Sequence, residues 1–155
     1  MPCGARKNLY HIATEQSEVI SHLQSKYIAL RSNISQKGES MDNKTIKELA
    51  VELTVEITAI CDSIKGRSVF VNQLLRSCSS IGANAHEARY AQSNADFINK
   101  LEIALKECYE TEYWLELFVK SELLNREIAK DLYNQCGTIR RMLIASINTA
   151  KENVK

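Results

Sequence analysis

After residue 40, apolar residues recur at steps of three and four, the repeat of helices that each bury one face. The repeat predicts helices over about 42–65 and 68–91, a third that opens at Ser93 and a fourth that follows Asn125. Asp42, Ser93 and Asn125 are placed to cap helix starts, and Gly66 to end the first helix in a left-handed conformation. The connections are only a few residues long, so neighbouring helices run antiparallel. The predicted fold class is all-α, an up-down-up-down four-helix bundle.

The first 40 residues have a different pattern. A helix is predicted over about 14–32, with Val19, Ile20, Leu23, Tyr27 and Leu30 on one face, and the polar stretch 35–40 is typical of a linker. We therefore divide the chain into an N-terminal leader, 1–40, and a bundle domain, 41–155. One hypothesis is that translation begins at Met41, because the residues just before it can be encoded by a purine-rich, ribosome-binding-like stretch.

Composition supports a helical protein of the cytoplasm. The chain of 155 residues has one proline and five glycines, too few turn residues for repeated sheet reversals. Its 20 basic and 19 acidic residues give no strong field to attract polyanions. No run of 18 apolar residues and no secretory signal is visible, which predicts no membrane span. The five cysteines form no CxxC pair, and reduced thiols are expected.

The sequence predicts no catalytic residue, no metal site and no cofactor. Only three histidines occur, and no nucleotide-binding or hydrolase motif is present. One alternative is a metal ion on a helical face of the leader formed by His11, Glu15, Glu18 and His22. Another is acid-base work by glutamates of the third helix, Glu102, Glu107, Glu110, Glu112 and Glu116. We favour solvated or ion-paired roles, since Glu102 and Lys106, and Glu116 and Lys120, are spaced as helical ion pairs.

A polar stripe on the second helix lies beside its apolar face. It consists of Arg76, Ser80, Asn84 and Glu87. Polar groups that are buried need partners. We therefore expect a structural network in which Arg76 and Glu87 reach acids of the third helix, with Glu107 and Glu110 as the candidates. A binding groove is the alternative.

Two further sets of residues are candidates for interactions. The third helix carries a second apolar stripe of Tyr109, Tyr113, Trp114 and Leu117, which indicates either extra core contact or an oligomer interface. The basic clusters, which are candidates for nucleic-acid binding, are Lys65, Arg67, Arg140, Arg141 and Lys151.

From residue 72 to residue 118 the chain resembles the bacterial four-helix bundle family, also called the 23S ribosomal RNA intervening-sequence protein family. The matching pieces are 73–77 (QLLRS), 80–84 (SIGAN), 95–97 (ADF), 103–107 (IALKE) and 110–117 (ETEYWLEL). The resemblance extends with weaker matches over about 41–155, and the leader has no counterpart in it. Ala85 and His86 depart from the family pattern.

The resemblance implies a homo-oligomeric bundle, commonly a five-fold ring. It also implies similarity to the accessory protein of diversity-generating retroelements, which binds nucleic acid and a reverse transcriptase. Two functions follow as alternatives. The protein is either a non-enzymatic scaffold associated with RNA or DNA, or an adaptor that binds a protein partner and no nucleic acid.

Overall fold

The computed structural model describes residues 18, 21–22, 25–29, 31–32 and 44–153. Within the part from 44 to 153 there are four helices and no strands. They are α1 (Ile46–Cys61), α2 (Ser68–Ala88), α3 (Asn94–Lys120) and α4 (Arg126–Glu152). Each helix packs on the next, and α1 packs on α4 to close the bundle. The predicted all-α four-helix bundle is confirmed.

A capping box starts α1, and it does so later than predicted. The Thr45 hydroxyl accepts a hydrogen bond from the backbone N–H of Glu48 at 3.3 Å, and the Glu48 carboxylate accepts from the backbone N–H of Thr45 at 2.8 Å. This reciprocal pair satisfies two of the N–H groups that a helix start leaves free. Asp42, the predicted cap, lies outside the described residues. The prediction that α1 extends over 42–65 is wrong, because Thr45 fixes its start.

The end of α1 also differs from the prediction. The helix ends at Cys61, and Ile64 then donates from its backbone N–H to the Cys61 carbonyl, which turns the chain. Gly66 has a φ of 76°, so it is left-handed as expected, but it lies in the connection and not at the helix end. The last predicted turn of α1 is therefore part of the connection to α2, which carries Lys65 and Arg67.

The caps of α3 and α4 follow the sequence prediction. The Ser93 hydroxyl accepts from the Asp96 N–H at 3.1 Å, and the Asn125 side chain accepts from the Glu127 N–H at 2.7 Å. Asp96 reaches back to the N–H of Gln92 at 3.2 Å, one residue before the position that a capping box would use. Helix α2 ends at Ala88, three residues before the predicted limit.

The core lies along the bundle axis, where the predicted apolar faces of the four helices meet. Its largest fully buried apolar side chains are Leu53, Ile57, Leu74, Ile81, Leu115, Phe118, Leu132, Ile139 and Leu143. Each such side chain stabilises the fold by about 1.5–3 kcal/mol through its removal from water. Four cysteines, at 61, 78, 108 and 136, are buried as free thiols among them. Burial raises the pKa of Cys78 to about 11, so this thiol packs as a small apolar group.

Small residues bring α1 and α2 close together. A Cβ placed on Gly82 would lie 3.3 Å from the Cβ of Ala50, tighter than most carbon contacts. Nearby, the Thr54 hydroxyl donates to the carbonyl of Ala50 at 2.7 Å and lies 3.2 Å from the carbonyl of Cys78 on α2. Gly82 and Ala50 thus allow the close approach of these two helices.

A helical N-terminal segment packs against the bundle. Every described residue between 18 and 32 is helical, in agreement with the predicted helix, and we call these residues the N-terminal segment. Tyr27 is buried and joins the core cluster. Met41, the linker at 35–40 and two members of the suggested metal face, His11 and Glu15, lie outside the described residues.

Candidate functional site

The bundle has four long sides, and the side between α2 and α3 carries the predicted polar network. Arg76 places its Nη1 3.4 Å from Glu107 Oε1, and its Nη2 pairs with Glu110 Oε1. Trp114 donates from Nε1 to the same Glu110 oxygen at 3.2 Å. The hydrogen bond from Arg76 lowers the pKa of Glu110, so this carboxylate stays ionised in the network. The two acids named from the sequence are the ones that Arg76 contacts.

The rest of the polar stripe differs from expectation. Glu87 pairs with Lys100 Nζ of α3 at 2.5 Å. The expectation that it reaches an acid of α3 is wrong, because two carboxylates repel whereas a lysine compensates the charge. Asn84 donates from Nδ2 to the carbonyl and the hydroxyl oxygen of Ser80, at 2.9 and 3.1 Å, so this pair is satisfied within α2.

A buried hydroxyl pair at the centre of the α2–α3 side was missed from the sequence. Thr111 donates to the Glu107 carbonyl at 2.8 Å and lies 3.0 Å from Ser77 Oγ, and both residues are fully buried. Ser77 in turn donates to the Leu74 carbonyl at 3.1 Å. The sequence could have indicated this pair, because a serine and a threonine occupy core positions in the apolar repeats of two neighbouring helices.

The side between α3 and α4 exposes aromatic rings. Tyr109 and Tyr113 of α3 are 50% and 58% exposed. Tyr133 of α4 is also exposed, and it lies seven residues before Arg140 and therefore on the same face of α4. The Arg140 guanidinium stands 5.5 Å from the centroid of the Tyr109 ring. We call Tyr109, Tyr113 and Tyr133 the tyrosine face.

The other two aromatic-stripe residues are half-buried. The Trp114 ring lies 6.0 Å from that of Phe70 on α2 and 5.1 Å from that of Tyr113, between centroids. Leu117 is half-buried as well. Trp114 therefore joins α2 to α3, and the two tyrosines are the part of the stripe that solvent reaches.

The predicted basic residues do not form one patch. Lys65 and Arg67 are exposed in the α1–α2 connection, at the end of the bundle where α4 begins, whereas Lys151 is near the end of α4 at the opposite end. Lys151 pairs with Glu102 at 2.7 Å, and Arg140 Nε donates to Glu112 Oε1 at 3.0 Å. Arg141 is exposed and donates to the Thr138 hydroxyl at 2.9 Å. Among the described residues, Lys65, Arg67 and Arg141 have no ion-pair partner.

The five glutamates of α3 all have cationic partners. Glu107 and Glu110 contact Arg76, Glu112 contacts Arg140, and the other two pair with lysines. Glu116 uses Lys120, as predicted, but Glu102 uses Lys151 of α4 and not Lys106. In the described part of the chain, no three His, Cys, Asp or Glu side chains are arranged to hold a metal ion.

The side between α1 and α4 contains a buried acid that the sequence pattern did not reveal. Glu56 of α1 is fully buried, and its Oε2 accepts from Gln135 Nε2 of α4 at 2.8 Å. Its Oε1 lies 3.6 Å from Arg31 Nη1 of the N-terminal segment. Burial raises the pKa of Glu56 despite the nearby donor and cation. The sequence could have indicated this acid, because Glu56 lies three residues after Leu53 and therefore on the face of α1 that packs in the core.

The remaining side, between α1 and α2, has an open groove. Its volume is about 420 Å³, and its floor is made of small residues including Ala50, Gly82 and Ala83. Val51 and Val55 line it and are about half exposed.

A match over residues 42–145 shows the family to which this bundle belongs. These residues match the family model of the 23S rRNA-intervening sequence protein. The chain belongs to this family. Residues before 42 lie outside the family match, so the N-terminal segment is additional to the matched bundle.

A solved structure is similar to this member of the 23S rRNA-intervening sequence protein family. It is a crystal structure of a protein with unknown function from the S23 ribosomal protein family of Bacteroides thetaiotaomicron VPI-5482. The identity is 44% and the TM-score 0.63, and the match covers 66% of this chain and 98% of that chain. A comparison with curated proteins found no match. Among the described residues, no helix is long and apolar enough to cross a membrane.

Proposed function

We propose that this family member is a non-enzymatic, cytoplasmic scaffold that assembles into a homo-oligomer through its tyrosine face. The observation that carries the proposal is the exposure of Tyr109, which Arg140 approaches, and of Tyr113 one helical turn further along α3. Tyrosine and arginine are enriched at the centres of protein interfaces, where they bury a large area at a low entropic cost. The family resemblance supports a ring, commonly of five copies.

The ion pairs support a structural role for the acids of α3. Each of its five glutamates faces a lysine or an arginine, and so none is left as a free acid-base group. Helix α3 is thereby held to α2 on one side and to α4 on the other. A rigid helix with exposed aromatic rings is suited to binding another protein surface.

The oligomeric state tests the proposal directly. We expect light scattering of the full chain at micromolar concentration to give a multiple of the 17.5 kDa protomer mass. Tyr113→Glu should lower that mass while helicity by circular dichroism stays unchanged, because an exposed position tolerates the charge in the monomer. Tyr90→Glu is a matched control, since Tyr90 is exposed in the turn that follows α2. A monomeric wild-type chain, or an unchanged mass of the Tyr113 variant, would contradict the proposal.

Nucleic-acid binding is a second candidate, favoured by Lys65 and Arg67. Both are exposed, both lie in one connection, and neither has an ion-pair partner among the described residues. Symmetry would repeat this pair around an oligomer, which strengthens weak contacts with phosphates. The family resemblance implies similarity to the accessory protein of diversity-generating retroelements, and that similarity would favour this candidate. The partner would then be structured RNA or DNA.

A titration against structured ribosomal RNA separates the candidates. A scaffold for nucleic acid should bind with a steep loss of affinity as salt rises, and Lys65→Glu with Arg67→Glu should remove the binding. Absence of binding at low salt would refute the second candidate. A protein that binds no RNA but retains a stoichiometric protein partner after nuclease treatment would instead act as an adaptor.

A further inference from the structure

On the side of the bundle formed by α1 and α4, the N-terminal segment lies against Glu56. Within the segment, Tyr27 is only 5% exposed, whereas most of the other described residues are exposed. Arg31 lies one helical turn after Tyr27, and its guanidinium approaches the carboxylate of Glu56. A tyrosine and an arginine four residues apart therefore fit this surface from one helical face.

Glu56 is the centre of the contact. Its side chain is 1% exposed, while the side chain of Arg31 is 40% exposed and stands 3.6 Å away, too far for a hydrogen bond. The ion pair thus compensates the buried charge only in part. Gln135 supplies one hydrogen bond, to Oε2. The Tyr27 hydroxyl and Glu56 Oε1 are buried and have no hydrogen-bond partner among the described residues.

We propose that the N-terminal segment is a releasable cover of the α1–α4 side, held by the burial of Tyr27 and seated over Glu56, and that protonation of Glu56 strengthens its hold. A buried carboxylate that is ionised and incompletely hydrogen-bonded is costly, and a proton removes that cost. When the segment leaves, Glu56 becomes accessible to water and the ionised form is tolerated. Docking is therefore coupled to proton uptake.

The charged groups around Glu56 determine the sign of the pH dependence. Burial raises the pKa of Glu56 most and the charge of Glu52 adds to the rise, whereas the Gln135 amide, the Arg31 cation and the Tyr27 hydroxyl oppose it. Asp131 of α4 adds negative charge near Tyr27. Because the docked state holds the proton more tightly than the released state, docking weakens as pH rises through the raised pKa. Burial and the charge of Glu56 also raise the pKa of Tyr27, so the phenol stays neutral throughout.

Hydrogen exchange of the full chain tests this coupling. We would measure the protection of peptides that contain 25–29 between about pH 5 and about pH 8, with labelling times scaled to the intrinsic exchange rate. Protection in the wild type should fall with rising pH, by no more than tenfold per unit because one proton is involved. Glu56→Gln, which keeps the shape and cannot ionise, should give high protection that does not change with pH.

Two controls make the outcome decisive. Glu116→Gln, an exposed acid that pairs with Lys120 on α3, should retain the wild-type pH profile. Tyr27→Ala should lose protection of 25–29 at every pH, while peptides of α3 stay protected. The same profile in the wild type and in the Glu56 variant would overturn the proton coupling. Unchanged protection in the Tyr27 variant would overturn the docking surface itself.

Discussion

Arg140 and Arg141 are neighbours in sequence, but only Arg140 should matter for folding. Arg140 donates from Nε to Glu112, whose side chain is 9% exposed, while that of Arg140 is 28% exposed. Arg141 is exposed, and among the described residues its guanidinium makes one hydrogen bond, to the Thr138 hydroxyl. Arg140→Ala therefore leaves an almost buried carboxylate without its cation. Arg141→Ala leaves no buried group unpaired.

The magnitude follows from the burial of the pair. Removing one partner of a fully buried ion pair costs about 3–5 kcal/mol. Arg140 is partly open to water, which can reach Glu112 when the guanidinium is absent, so we reduce this to about 2 kcal/mol. The lost contact with the Tyr109 ring adds about 0.5 kcal/mol. For Arg141→Ala we expect a change within about 0.5 kcal/mol.

Urea unfolding followed by circular dichroism measures both variants, at one fixed protein concentration because an oligomer unfolds in a concentration-dependent way. A charge-free control, Glu112→Gln combined with Arg140→Ala, should recover about 1 kcal/mol of the loss, since no buried charge remains. The reasoning is refuted if Arg140→Ala is as stable as Arg141→Ala. It is also refuted if the double variant is no more stable than Arg140→Ala.

Three other predictions concern the fold. Thr45→Ala removes the capping box of α1 and should cost about 1 kcal/mol in unfolding free energy by urea titration, whereas Thr45→Ser should cost much less. Leu53→Ala opens a cavity in the fully buried core and should cost about 2–5 kcal/mol, with Val51→Ala at the exposed groove as the mild control. Because Arg76 lowers the pKa of Glu110, that pair stabilises the fold above the ordinary carboxyl pKa and its contribution is lost as pH falls through the lowered value. The difference in stability between wild type and Glu110→Gln should therefore shrink in acid; a difference that does not depend on pH would contradict the role of this pair.

The sequence was informative wherever a repeat or a cap defines structure. The apolar steps predicted four helices and most of the core, and Ser93 and Asn125 cap their helices as expected. The start of α1 was misplaced because Asp42 and Thr45 are both capping residues, and only the reciprocal bonds with Glu48 distinguish them. Local patterns of this kind do not reveal which of two neighbouring caps is used.

Contacts between helices were harder to predict than the helices themselves. Arg76 was correctly matched to two acids of α3, because a long side chain beside the apolar face of one helix can reach the adjacent helix. The partner of Glu87 was wrong, and the ion pair of Arg140 was not foreseen at all. These pairs depend on the vertical alignment of two helices, to within one turn, which spacing along one chain does not define.

The structure also limits how the two proposed functions can coexist. Arg140 stands over Tyr109, so an oligomer that buries the tyrosine face would remove Arg140 from any nucleic acid. Lys65 and Arg67 lie at the end of the bundle and would stay exposed in a ring of bundles packed side by side. Nucleic-acid binding by the assembled protein should consequently depend on the end and not on Arg140. The Arg140→Glu variant would also lose stability, whereas Lys65→Glu and Arg67→Glu change only exposed charges, and so only the latter pair can separate lost binding from lost structure.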